Sequence, residues 1–494
     1  MKKIIAMLLA VMMVVGMFAA CGNDAPETTA PAAPVETEPA APVETEPAAG
    51  EIPTLVWYQV GNGQPANYDT WQAKMNAYLE EKIGVHLDVR VGSWGDWGNL
   101  RSVTVQTNEP YDLMFTDMST YTSDVNMGAF ADITDLMAEV PGLTDLIPQA
   151  YLNACLIGGK LYGIPCYKDS SMTQFFVWDK ATVEQYFPGY AEAHDLASID
   201  QGLRDIYAAT GEAPLMLNQD GLSCVTGNKY DACTLGNIGI GIAYNGGTEF
   251  VSVYEQPDVL ADLGLLQTWM ADGLINSDAA VKAEINGQYA LGVAQGWPGA
   301  AVTTWGPNRG ADVVVSQYEE TVVSNDTVMG SITCISNSSE HKLEALKLLE
   351  LVNTDPIVRD MLWYGEEGVN FEYVDENGVK KVQQNPDAPW GMAAYTQGTF
   401  FVATPVVGDA GYGEIKIQNE NATPSPAMGF IPDTTEIADE ISAVQAIFEE
   451  YKSLIMTGTG GQDQIDAMLA AMRDAGFDTI LTEVNAQFNA WKAN

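Results

Sequence analysis

Between residues 55 and 117 the chain alternates in a way that few folds accommodate. Residues 55–60 form an apolar run short enough for a buried strand, and Gly61-Asn62-Gly63-Gln64-Pro65 breaks it. Trp71, Met75, Tyr78 and Leu79 then recur at helical spacing, and 85–91 alternates as a second strand. Residues 99–107 read as a helix, and 111–115 as a third strand ending at Thr116 and Asp117. Strand–helix–strand repetition with short turns predicts parallel strands joined by right-handed crossovers, an α/β architecture. Ligands of such sheets sit beyond the carboxyl ends of the strands. That rule points to Asn62, Trp94, Asp117 and Tyr121 as candidate binding residues.

The chain has 494 residues, 47% of them hydrophobic, enough for two or more core-forming lobes. Acidic residues outnumber basic ones 66 to 22, giving a formal charge of −44. Phosphate backbones are bound by Lys and Arg that displace counterions, so this balance excludes nucleic acid as a natural partner. It excludes broad docking on anionic lipid for the same reason. Beyond Cys21 lie Cys155, Cys166, Cys224, Cys233 and Cys334, an odd number that cannot all pair within one chain. Cys224 and Cys233 bracket a loop rich in Gly, Asn and Asp, where a local disulfide and two free thiols are both open readings.

Residues 1–20 carry two lysines, an apolar run and small residues before Cys21, the pattern of a secretory signal peptide. The run is shorter than the roughly 20 residues a membrane span needs. Phe18-Ala19-Ala20-Cys21 resembles the lipobox of bacterial lipoproteins, with Phe in place of the usual Leu. The resemblance implies that Cys21 is lipidated and becomes the N-terminus; an ordinary signal peptide with an incidental cysteine is the alternative. Residues 21–50 read as a tether in which Ala-Pro-Val-Glu-Thr-Glu-Pro-Ala occurs twice. Proline keeps it extended and glutamate keeps it solvated, with a reach of roughly 90 Å at about 3.1 Å per residue.

Gly159-Lys160-Leu161-Tyr162-Gly163-Ile164-Pro165 resembles the element at which extracellular solute-binding proteins of ABC importers cross between lobes. Residues 111–117 are similar to a strand of that family, Gly128-Ala129-Phe130 to one of its helix starts, and Asn286-Gly287-Gln288-Tyr289-Ala290-Leu291 to another strand. Trp363-Tyr364-Gly365-Glu366-Glu367-Gly368 resembles a signature of its large carbohydrate-type lipoproteins. The resemblance implies a two-lobed, periplasmic-binding-protein-like type II fold, each lobe a mostly parallel sheet flanked by helices, with helices closing the chain. Lobe I is then expected over 51–165 and 328–385, and lobe II over 166–327 and 386–494. It also implies a monomer without cofactor, lipid-anchored outside the cytoplasmic membrane. Such a protein captures a sugar, most naturally an oligosaccharide, and delivers it to the permease of an ABC importer.

Three further elements are legible. Asn337 and Glu340 suggest a capping box for a helix over 338–353. Asn377-Gly378 marks a hairpin over 373–382, preferred to a calcium loop because the closing Glu is missing. Residues 436–454, 463–474 and 478–491 are amphipathic helices.

Catalytic patterns are scarce. No Gly-x-Ser-x-Gly elbow or phosphate loop occurs, and His86, His194 and His341 are scattered without zinc-site spacing. Glycosidase chemistry needs only two suitably placed carboxylates, so a tethered glycoside hydrolase stays open as an alternative, as does a peptide-binding importer component. Sugar binding requires flat aromatic faces for C–H surfaces and charged or amide groups for hydroxyls. Trp71, Trp178, Trp269 and Trp491 lie on periodic faces and read as packing, whereas Trp94, Trp297 and Trp305 lie in Gly/Pro-rich loops and read as ligand contacts. Asp117 is a ligand contact or a helix cap; Lys168 and Asp169, at the crossover, meet ligand or each other. Glu366 either meets ligand or holds its own loop.

Overall fold

The computed structural model describes residues 52–107, 109–408 and 411–493; the signal peptide, Cys21 and the tether lie outside them. In chain order the principal strands are β1 (Thr54–Gly61), β2 (His86–Ser93), β3 (Leu113–Thr116), β4 (Gly163–Pro165), β5 (Met172–Asp179), β6 (Leu291–Gln295), β7 (Val313–Val323) and β8 (Ile332–Ile335). The first sheet runs β2-β1-β3-β8-β4, and β1 pairs in parallel with both β2 and β3. Leu55, Trp57 and Val60 of β1 are fully buried because helices cover both faces. Helix Tyr68–Ile83 supplies Trp71, Met75 and Leu79 to that core. It stops at Gly84, whose φ of 68° is a left-handed cap open to glycine at little cost.

The second sheet runs β6-β5-β7 with a short edge at Thr423–Pro424. Its side chains alternate: Phe176 and Trp178 of β5 enter the second large core, while Phe175 and Val177 face a small cluster with Trp305. Helices Ala438–Met456, Gln462–Asp474 and Phe477–Lys492 complete the large core with Phe448, Met468, Ile480 and Phe488. Each such side chain contributes about 1.5–3 kcal/mol on burial. Two cores on two sheets give the two-lobed α/β body expected.

Four details depart from the sequence reading. The second sheet is antiparallel along β5–β6 and β5–β7. The reason is topological: β5 carries the chain away from the first lobe, and β7 must carry it back into β8. Residues 386–408, expected in lobe II, pack instead on the first lobe. There the fully buried Arg359 donates from Nε to Thr399 O (2.6 Å) and from Nη2 to Ala394 O (2.8 Å), with its guanidinium 4.7 Å from the Trp363 ring. The helix expected over 338–353 begins at Lys342, because Asn337 is drawn off to Ala129 O and Gly128 O and makes no cap. All five described cysteines are free and buried, which settles the Cys224–Cys233 question. The hairpin forms as expected: Asn377 and Gly378 take φ of 57° and 81°, and Gly378 N–H donates to Asp375 Oδ1 (2.9 Å).

Candidate functional site

The carboxyl ends of β1, β2 and β3 share one rim, and a loop from the 386–408 segment is fastened over it. Asn62 N–H donates to Gly391 O (2.8 Å), and the Thr396 hydroxyl donates to the buried Gln59 side chain (2.7 Å). This loop presents Tyr395. Just beyond β2, Trp94 stacks on Tyr395 with ring centroids 5.9 Å apart and planes 12° from parallel. Trp94 nonetheless keeps 49% of its surface exposed, so one broad indole face is open to solvent.

Charged groups surround the pair. Lys168 Nζ stands 5.7 Å from the Tyr395 ring centre and bonds Asp169 Oδ1 at 2.7 Å. Burial first, then the nearby carboxylates of Asp117 and Asp169, raise the Tyr395 hydroxyl above its ordinary pKa. Asp117 directly follows β3 and accepts from Ser119 N–H (2.9 Å), which turns its carboxylate toward the following helix start. Asn62, Trp94, Asp117, Lys168 and Asp169 therefore converge, around a tyrosine that sequence reasoning missed.

The opposite wall comes from the second lobe through helix Gly413–Asn421. Asn419 donates to Lys168 O, and the neighbouring Gln418 donates to Gly296 O (3.2 Å). Glu414 accepts from Gly299 N–H (2.9 Å), bracing the loop that carries Trp297. One helix thus ties both the Lys168 backbone and the loop that carries Trp297. Trp305 follows it, packed on Phe175 with centroids 5.7 Å apart and partly exposed.

Two expected residues lie elsewhere. Tyr121 opens a helix with its side chain turned inward, fully buried, its hydroxyl donating to Cys155 O (2.7 Å). Glu366 is buried and engaged by Lys74 (2.8 Å), the Thr70 hydroxyl (2.6 Å) and Asn67 (3.2 Å). Burial raises its pKa, but these three partners outweigh burial and hold the carboxyl below its ordinary value. It fastens the loop after helix Pro356–Tyr364 to the first helix. Among the described residues no group of three or more His, Cys, Asp or Glu side chains is placed to hold a metal ion.

Two lobes joined by crossing segments, with exposed aromatic and charged groups at the seam, define a binding protein that grips a solute between its halves. The chain belongs to the bacterial extracellular solute-binding protein family, whose model matches residues 62–357. Residues 426–493 match a second model, described only as a domain of unknown function, DUF3502. The chain is 26% identical over 465 residues to a carbohydrate ABC transporter substrate-binding protein of Streptococcus pneumoniae serotype 4, covering 90% of this chain and 92% of the relative. In structure it is similar to the N-glycan transport solute-binding protein NgtS of S. pneumoniae. That match has a TM-score of 0.81 and 24% identity, covering 90% of this chain and 99% of the other. The TM-score is 0.71 for NgtS in complex with Man1GlcNAc. A solute-binding protein from Bifidobacterium longum infantis described as HMO-binding gives 0.63 at 15% identity, covering 89% and 99% of the two chains.

Proposed function

We propose that this chain is the receptor of an ABC importer, anchored by lipid at Cys21 outside the cytoplasmic membrane. It captures an oligosaccharide between its lobes and hands it on unchanged to the permease. The observation that carries the reading is the half-exposed Trp94 on Tyr395, flanked by Asp117, Lys168 and Asp169. An aromatic face covers the C–H side of a sugar ring, while carboxylates accept from vicinal hydroxyls in pairs. Contacts to both lobes favour the closed state by differential affinity. The relatives named as carbohydrate and N-glycan binders support the ligand class. Micromolar affinity corresponds to about −8 kcal/mol, within reach of two stacks and several buried hydrogen bonds. Lobe I in this reading comprises 51–165, 328–385 and the packed segment 386–408.

Isothermal titration of the chain lacking its signal peptide, against panels of neutral oligosaccharides and peptides, tests the reading. An oligosaccharide is expected to bind and to be recovered intact. Trp94→Ala should weaken it about tenfold, the loss of one stack. Binding confined to peptides, steady release of reducing ends, or an unchanged affinity in the variant would each overturn it.

A further inference from the structure

Beside the sugar-binding seam the second lobe holds a cavity of about 340 Å³. It lies between Gly292 and Ala294 of β6 and the side chains of Tyr289, Trp305, Asn308 and Arg309. Its volume falls at the small end of the roughly 300–1,000 Å³ range of small-molecule sites, room for a single sugar residue. The lining is chemically unlike the rest of the chain. Acidic residues outnumber basic ones 66 to 22 overall, yet no Asp or Glu lines this cavity and one arginine does.

That arginine lacks a counter-ion. The Arg309 guanidinium lies 3.9 Å from the centre of the Tyr289 ring, and its Nη1 is enclosed without a hydrogen-bond acceptor. Asp179 is close enough to be felt electrostatically, but among the described residues no carboxylate lies within ion-pair distance. A part-buried cation held on an aromatic face, bonded to Tyr289 but with Nη1 enclosed and without an acceptor, is costly unless an acceptor arrives. The planar guanidinium matches a carboxylate in two parallel hydrogen bonds, a geometry that a hydroxyl cannot reproduce. Asn286 and Asn308 add amides for the ring hydroxyls of the same residue.

The cavity also continues the seam. Trp305 lines it on one side, while a Cβ built at Gly296, the neighbour of Trp297, would meet the Trp305 ring at 2.8 Å. A glycan lying along Trp297 and Trp305 would carry its terminal residue into the cavity. We propose that this cavity receives a carboxylate-bearing sugar residue at one end of the captured glycan, held by Arg309 on Tyr289. The proposal rests on the receptor reading above and narrows its ligand class to acidic glycans.

The test uses the neutral oligosaccharide that binds best, extended with a terminal glucuronic acid, and the same compound after reduction of the carboxyl group. The two probes differ only in carboxylate against hydroxymethyl. The acidic probe should bind at least tenfold more tightly, and Arg309→Gln should erase the difference between the two probes. Should Arg309→Gln not fold, Asn308→Asp sets a carboxylate beside the guanidinium and should weaken the acidic probe more than the reduced one, removing the preference. Equal affinity for the two probes overturns the proposal, as does a preference that survives either substitution. Tight binding of neutral oligosaccharide with rejection of the acidic probe also overturns it and leaves the receptor reading standing. Failure of every oligosaccharide to bind would remove the receptor reading as well.

Discussion

Arg359→Met is expected to destabilise the protein by about 4 kcal/mol and to weaken ligand binding even where the variant folds. The side chain is fully buried and donates to Thr399 O, Ala394 O, Gly398 O and Gln397 Oε1. Burial lowers its pKa from the ordinary value to about 10, and the nearby Cys166, Tyr364, Tyr412 and Asp360 oppose that fall. Truncation would strand several enclosed acceptors at once, each costing about 1–3 kcal/mol, with partial relief as the loop relaxes. Methionine keeps the stem's volume, so the loss reports the polar clamp more than a cavity. The functional consequence follows from position: the clamped stretch carries Tyr395, the partner of Trp94. Urea unfolding should show a lower midpoint with an unchanged slope. Arg359→Lys, which retains a charge without the fork, should fall between the two. A midpoint for Arg359→Met within 1 kcal/mol equivalent of the parent would mean the clamp is dispensable.

The division between what was legible and what was not follows how local each signal is. Strands β1 and β2 fall within two residues of their expected ends, since apolar alternation is set by neighbours along the chain. The Asn377-Gly378 turn is legible for the same reason, because left-handed φ is a property of those residue types. Trp71, Trp178 and Trp269 are buried as their periodic faces implied, whereas Trp491 on the last helix stays 40% exposed. Tyr121 satisfies the strand-end rule in sequence but opens a helix that turns it inward, which only packing decides. Tyr395 lies in a loop with no repeat, and its role comes from Gln59 and Arg359, more than 300 and more than 30 residues away along the chain. The direction of the second sheet was equally hidden, because strand polarity depends on where β7 must deliver the chain.

The second large effect should be a loss of stability as pH rises from about 4 to about 7, reduced by Asp326→Asn. Two carboxylates sit on successive amides of one loop: Asp231 Oδ1 accepts from Cys233 N–H (2.8 Å) and Asp326 Oδ1 from Thr234 N–H (2.9 Å). That loop is bent at Cys233 and Thr234 into positive φ of 50° and 64°, which keeps both amides turned to the pair. Asp231 is buried and titrates above its ordinary value through burial, against hydrogen bonds from Ser425 and Cys233 that favour its charge. Asp326 is pushed up to about 7, first by burial and then by Asp231. Tyr244 and Cys233, the other titratable groups beside them, are raised in turn and bring no positive charge. In the unfolded chain an aspartate titrates near ~3.9. Between that pH and about 7 the native state keeps a proton that the unfolded state has released, so stability falls as pH rises. At about 1.4 kcal/mol per unit, the full window is worth on the order of 4 kcal/mol. Carboxylates with lowered values, such as Asp132 at about 2, titrate below this window and are common to both proteins. Asparagine can still accept from Thr234 N–H but has no proton to lose. Asp326→Asn should therefore match the parent near pH 4 and exceed it by about 4 kcal/mol at pH 8 in urea unfolding. Two stability curves that run parallel from pH 4 to pH 8 would show that the pair does not share this burden. The location gives the effect its interest. Asp326 lies in helix Asn325–Val328, where the chain passes from β7 to β8, and Asn325 beside it accepts from Gly429 N–H (2.8 Å) and donates to Phe430 O (2.6 Å). Charge forced into this crossing acts on a segment that links the second sheet to the first.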